Sequence, residues 1–161
     1  PRLLEEYKKQ LPDASRTELL VRLSTDIGMW RNALIQADAK LFLGGPPLYM
    51  YNFAWKNRLW GGSWAAHGND LNFQFGFPDA PGWMSEEDSP ELRAQADPHN
   101  DRYRVAKEMM AAWAAFAHSG NPSTSTLDWP AYDIKRRATM VFDHESRVVD
   151  DPRAALRRLV V

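Results

Sequence analysis

The chain has 161 residues, 44% hydrophobic and 25% charged, with 20 basic residues against 21 acidic ones. That is the make-up of a globular protein with enough length to bury a core, and its net charge of -1 excludes the positive field that nucleic acid or an anionic membrane surface would require. Cysteine is absent, which rules out disulfides, thiolate catalysis and Cys-based zinc sites, and no apolar run approaches the length of a membrane span.

The first element is a short helix over Leu3 to Leu11, stopped by Pro12 and Asp13. Ser15-Arg16-Thr17-Glu18 is a capping-box pattern ahead of Leu19, Leu20 and Leu23. Ser24-Thr25-Asp26 gives a second helix-start signal, and the helix it opens carries Ile27, Trp30, Leu34 and Leu41 on one side. Gly44-Gly45-Pro46-Pro47 breaks it. Leu48 to Trp55 alternates with period two, so that Tyr49, Tyr51, Phe53 and Trp55 share a face. Both faces are mostly apolar, the pattern of a strand inside a sheet covered by helices.

The segment 56–101 is long and irregular, and such segments tend to carry function. Val105 to His118 is the clearest helix, with a stripe of Val105, Met109, Trp113 and Phe116 and alanines elsewhere; burial on most sides is expected. Gly120-Asn121-Pro122 ends it. Ala138 to Phe142 and Arg147 to Val149 form two short strands around a turn at Asp143 to Ser146. Asp151-Pro152 opens a terminal helix, Asp at the N-cap and Pro in the first turn. The order implies a mixed α/β fold. The seven tryptophans are assigned chiefly to core packing.

A histidine, His67, lies in the irregular segment that follows the apolar strand. In an open α/β sheet ligands gather at loops beyond the carboxyl ends of strands, and an imidazole, with an ordinary pKa near ~6.5, takes and gives a proton at neutral pH. Gly68 lets the chain turn directly after it. The other histidines fit blander roles: His118 at a helix C-terminus, where a cation suits the dipole, and His99 and His144 in polar turns.

The segment Ala66-His67-Gly68-Asn69-Asp70-Leu71-Asn72-Phe73-Gln74-Phe75-Gly76 resembles the histidine motif of the type-B carboxylesterases, the α/β-hydrolase family that includes cholinesterases and bacterial para-nitrobenzyl esterases. Its usual form is His-Gly-x-Glu-Leu followed by Pro-Phe-x-Phe-Gly. The resemblance extends upstream through Ser24-Thr25-Asp26 and Pro47 to Phe53. Downstream it runs through Met110, Ala112-Trp113, Phe116-Ala117, Gly120-Asn121-Pro122, Trp129-Pro130-Ala131-Tyr132, Met140-Val141-Phe142 and Asp151-Pro152-Arg153.

The resemblance implies the C-terminal portion of an α/β-hydrolase fold over residues 1–161, contributing helices and a few strands of the central sheet. The histidine loop is 56–101, the buried helix 105–118, and the hairpin and last helix 138–161. It implies that His67 is the catalytic histidine of a serine esterase acting on a small carboxylic ester, with no metal and no cofactor. In such hydrolases the order is serine, acid, histidine, so nucleophile and acid are expected in an upstream part of the same protein. Because the chain opens on Pro1, a cleaved or truncated piece is expected, and its compartment stays open. Asp70 takes the place of the motif's glutamate, a residue that supports the active-site hydrogen bonds, but is one methylene shorter. Asn72 replaces the usual proline. Asn69 matches a position that can face the acyl or alcohol pocket, and Trp60 and Trp64 are candidates for an entrance. Ser63, in Gly61-Gly62-Ser63-Trp64-Ala65, is read as a loop serine and not a nucleophile elbow. Asp26 reads as a helix-start residue, and Asp38 and Glu18 as solvated or capping helix residues. The competing reading is a non-catalytic, cholinesterase-like binding or adhesion protein on the same fold.

Overall fold

A computed structural model describes residues 2–56, 65–80 and 89–160. The chain divides into two compact units: one of Pro1–Leu48, Asp133–Arg137 and Asp151–Val161, the other of Tyr49–Tyr132 and Ala138–Asp150. Among the described residues no helix is long and apolar enough to cross a membrane.

The first unit is helical. Helix α1 (Arg2–Gln10) precedes α2 (Arg16–Thr25), whose first turn is capped as expected, the Glu18 amide donating to Ser15 Oγ at 3.1 Å. The second helix start does not occur. The chain continues from α2 through a π-helical turn (Asp26–Trp30) into α3 (Arg31–Leu43). Ser24 and Thr25 cannot act as caps because their hydroxyls donate back to the carbonyls of Leu20 and Val21, at 2.8 and 2.9 Å. Asp26 faces inward, 1% exposed, where it accepts from Tyr7 Oη at 2.8 Å and from Arg153 at 2.5 Å. An inserted π turn re-aims the residues it contains, and here it accompanies the burial of both Asp26 and Trp30. Tyr7, Leu19 and Leu156 form the core of this unit. Asp38 is not simply solvated: Arg137 donates to both of its oxygens, at 3.1 and 2.9 Å. The last helix, α7, begins at Ala154 and ends at Val160. Asp151 and Pro152 therefore lie ahead of the helix and not at its expected N-cap and first turn, and the Asp151 carboxylate instead grips the Arg157 side chain with two bonds of 2.8 and 2.7 Å.

The second unit holds a three-stranded sheet. Strand β1 (Met50–Phe53) runs parallel to β2 (Ala138–Phe142), with Tyr51 opposite Met140, and β2 runs antiparallel to β3 (Arg147–Asp150). A parallel pair needs a long crossover, and here it contains α4 (Asn69–Gln74), α5 (Pro90–Ala96) and α6 (Asp101–Ser119). The fully buried strand is β2. The expected interior strand, β1, lies at the edge of the described sheet and is half-buried throughout.

Its aromatic face is as anticipated, with Tyr49, Tyr51 and Phe53 packing on a core of Trp55, Phe73, Met109, Trp129, Met140 and Phe142. Helix α6 buries one side, Val105, Ala106, Met109 and Ala112, but leaves Met110 and Phe116 exposed. The expected burial on most sides is therefore not reached: among the described residues Phe116 meets the edge of Tyr49, at 5.9 Å, and Met110 lies beside Gly76, so that face is covered in part. Of the tryptophans, Trp30, Trp55 and Trp129 are buried.

Candidate active site

After β1 the chain leaves the sheet through Trp55, and the His67 turn leads into α4. Gly68 adopts a left-handed conformation (φ 81°) at the N-cap of α4, a geometry that glycine enters without the cost a Cβ imposes. The turn is closed by the Asn69 amide on the Ala66 carbonyl and the Leu71 amide on the Gly68 carbonyl, both at 3.2 Å. His67 itself is exposed.

Asn69 lies at the foot of the same turn and is 8% exposed. Asp70, one residue further on, accepts a hydrogen bond from Tyr51 Oη at 2.9 Å and another from Gln74 Nε2 at 2.9 Å, while Gln74 Nε2 also lies 3.2 Å from Tyr51 Oη. The shorter side chain therefore still reaches a partner on the sheet. Burial, with the bond to the Asp70 carboxylate, pushes the Tyr51 phenol up to about 12, so it stays a protonated donor at neutral pH.

Phe73 anchors α4 from below, 5% exposed and with its ring 5.0 Å from Phe53 and 5.6 Å from Trp55. Asn72 uses its amide where the motif has proline: Nδ2 donates to the Ala80 carbonyl at 3.3 Å, and its own carbonyl accepts from the Phe77 amide at 2.7 Å. The turn after α4 is held by polar bonds instead of a rigid ring.

Tyr51 and Gln74 were not singled out by sequence. The signal for Gln74 was present, since residues four apart on a helix are neighbours and Gln pairs well with Asp there. That for Tyr51 was not, because its partner is 19 residues away. Ser63, Trp60 and Trp64 lie outside the described residues.

The remaining histidines stay apart from this arrangement. His99 and His118 are exposed. His144 stacks on Trp55 at 4.2 Å and lies 3.2 Å from Asp101 through Nδ1. Asp97, Asp101 and His144 come close enough together to suggest a metal centre, but the Asp97 oxygens are already engaged by the amides of Asp101 and Arg102 and by the Arg102 guanidinium. That cluster is a helix cap with an ion pair. A shallow, largely apolar cavity of about 420 Å³ is lined by Gly76, Pro78, Tyr103, Lys107 and Met110 among others, and none of His67, Asn69 or Asp70 lines it.

The Carboxylesterase family model matches residues 2–157. This chain belongs to the carboxylesterase family. It is 30% identical over 141 residues to the para-nitrobenzyl esterase of Bacillus subtilis (strain 168), covering 88% of this chain and 27% of that protein. It is 28% identical to carboxylesterase 1C of Rattus norvegicus over 142 residues, 84% of this chain and 23% of that one. Among solved structures, a Geobacillus stearothermophilus carboxylesterase superimposes with a TM-score of 0.76 at 28% identity, covering 100% of this chain and 32% of the other. A PNB esterase structure gives 0.72 at 30% identity, covering 98% and 30%. The fold is therefore part of the carboxylesterase α/β-hydrolase fold, and the chain spans about a quarter to a third of the length of these relatives.

Proposed function

We propose that this chain is the C-terminal portion of a carboxylic ester hydrolase and that His67 is its general base. In the proposed reaction a serine supplied by residues upstream attacks the ester carbonyl while the His67 imidazole accepts the serine proton. The imidazolium then gives that proton to the departing alkoxide, leaving an acyl-enzyme. Water attacks the acyl carbon with His67 again taking the proton, which returns to the serine as the carboxylic acid leaves. An acid from the same upstream part orients the imidazole, and no metal or cofactor enters the cycle.

The observation that carries the reading is an exposed histidine on an anchored turn, beyond a strand in parallel pairing, in a chain of this family. Asp70 supports the turn through its bonds to Tyr51 and Gln74. Asn69, nearly buried, would touch the acyl or alcohol group only through its remaining accessible edge. The substrates are small carboxylic esters, the chemistry named by the relatives.

The test is hydrolysis of a short-chain chromogenic ester. In the complete gene product, His67→Ala should lower kcat by about 10⁴- to 10⁶-fold, whereas the 161-residue chain alone should show no turnover above background. Loss of only a few-fold on His67→Ala removes His67 from the mechanism. Failure of the complete protein to react with a fluorophosphonate, which titrates activated serines, would favour a binding protein on the same fold.

A further inference from the structure

We infer that Tyr51 and Gln74 are positioning residues for the general base: together they clamp the Asp70 carboxylate between strand β1 and helix α4 and so fix the turn that presents His67. The inference rests on the reading of His67 given above and adds residues outside the histidine motif's charged positions.

Helix α4 has only six residues and no side-chain cap bond at its Gly68 N-cap. A helix that short does not hold itself together in water, so the placement of the turn before it depends on what fastens α4 to the sheet. Besides the packing of α4 on α6, two fasteners hold it to the sheet. One is Phe73, packed on Phe53 and Trp55; it is apolar and carries no directional bond. The other is the triangle of Tyr51, Asp70 and Gln74, with sides of 2.9, 2.9 and 3.2 Å.

Its directions are determined by chemistry. A carboxylate only accepts, so both the phenol and the amide must donate to Asp70, and the phenol oxygen is then free to accept the second amide hydrogen. Tyr51 is itself fixed on the sheet. Its backbone is in register with Met140, and its ring meets Trp113 at 5.0 Å and Phe142 at 6.2 Å, both edge-on. The clamp thus ties α4 to a strand held by β2 and by the aromatic core.

Gln74 accounts for the departure at Asp70. A carboxylate one methylene shorter than the motif's glutamate has less reach and less freedom to find a partner. An amide four residues along the same helix face supplies a second donor from the α4 side. Tyr51 and Gln74 carry no proton for the reaction; they act through Asp70. A base displaced by about 1 Å can lose on the order of 10²-fold in rate, so a clamp of this kind matters for turnover more than for substrate affinity.

The experiment uses the complete protein, steady-state hydrolysis of a short-chain chromogenic ester, and rates expressed per site titrated by a fluorophosphonate, so that poorly folded material is not counted. Tyr51→Phe keeps the ring and its packing but removes the donor. It should lower kcat about tenfold while KM stays within about twofold. Gln74→Leu should behave alike, and Gln74→Leu combined with Asp70→Glu should recover most of the loss, because the longer carboxylate reaches Tyr51 unaided. The Tyr51→Phe, Gln74→Leu double variant should be little worse than either single change, as expected of groups acting as one unit. Unchanged kcat per titrated site in both single variants overturns the clamp, as does a KM rise with kcat preserved, or multiplicative losses without rescue by Asp70→Glu. His67→Ala, whose serine the fluorophosphonate would no longer titrate, is run in parallel with its rate expressed per mole of folded protein. If it is inactive while Tyr51→Phe is fully active, the clamp fails and His67 keeps its role; if His67→Ala retains activity, the reading of His67 fails first.

Discussion

Asp26 should be the most costly single polar residue to remove from the helical unit. It is 1% exposed and receives Tyr7 Oη at 2.8 Å and the Arg153 guanidinium at 2.5 Å. Tyr7 is 0% exposed, whereas the Arg153 side chain keeps 22% of its surface and its guanidinium also lies 5.1 Å above the Trp30 ring. Asp26→Asn preserves shape and an acceptor for Tyr7 but discharges both bonds. Charged hydrogen bonds are worth about 1.5–3 kcal/mol against about 1 kcal/mol for neutral ones, so two of them weakened give roughly 2 kcal/mol. Asp26→Ala also orphans the Tyr7 hydroxyl where water cannot reach it, which raises the expected loss to about 3–5 kcal/mol. Tyr7→Phe in the native background removes one charged bond and should cost about 2 kcal/mol. In the Asp26→Ala background the same change discards an already unsatisfied hydroxyl, so it should be neutral or stabilising. Urea denaturation of the four proteins of this cycle, with the m-value checked for constancy, measures the coupling directly. An equal cost of Tyr7→Phe in both backgrounds would refute the argument, because the hydroxyl would then owe its value to something other than Asp26.

Three further outcomes are expected. Arg102 bonds to Asp97, whose side chain is 3% exposed, at 3.0 Å and to Asp79 at 2.7 Å. Arg102→Ala should therefore destabilise the start of α6 by about 3 kcal/mol, seen as faster amide hydrogen exchange in its first turns. Burial pushes the Asp79 carboxyl up, but the bonds from Tyr103 and Arg102 outweigh it and hold it below its ordinary range. A carboxyl so depressed in the folded state contributes stability that is present above its unfolded pKa near 3.8 and lost as the pH falls through its folded value. Arg102→Ala should thus flatten the acid limb of stability below about pH 4, and an unaltered limb in acid titrations of thermal unfolding would count against it. Gly76 has φ +76° and a Cβ there would stand 2.6 Å from Met110 Sδ. Gly76→Ala should cost about 1–3 kcal/mol, of which adding Met110→Ala recovers the steric share but not the backbone share; full recovery in urea unfolding would show that φ is not the constraint.

Much of this architecture could be read from the chain because it is governed by local pattern. The alternation from Leu48 to Trp55 encodes β1 and assigns Tyr49, Tyr51 and Phe53 to one face, where they meet the core. Ser15 with Glu18, and Gly120 after α6, terminate helices through bonds to atoms only a few residues away. The readings that failed share another trait: a remote partner decides them. Ser24-Thr25-Asp26 has the right residues for a helix start, but Tyr7 and Arg153 claim the Asp26 carboxylate from either side in sequence, and the helix runs on through a π turn. Helix α4 escaped notice because its stability lies in Phe73 and Asp70, not in its own six residues. The role proposed for His67 rests on the company of its motif, since one exposed histidine in a polar segment carries no distinguishing local signal.

The distribution of apolar surface supports the proposal that upstream residues complete the enzyme, independently of the histidine. In the helical unit Phe42 and Leu43 are 90% and 83% exposed at the end of α3. In the sheet unit Phe75 and Phe77 are 68% and 67% exposed, and Met110 and Phe116 stand open along α6. Single exposed apolar residues are ordinary, but large aromatic side chains left in water across both units are costly and aggregation-prone. Strand β1 makes the same point through the backbone. Its apolar faces suit a strand flanked on both sides, yet among the described residues only β2 pairs with it. An edge so built, without charges or proline to blunt it, invites a further strand. Asp70, beside His67 on the turn, is bonded to Tyr51 of that same strand, so a segment pairing with β1 would also brace the strand that holds the turn.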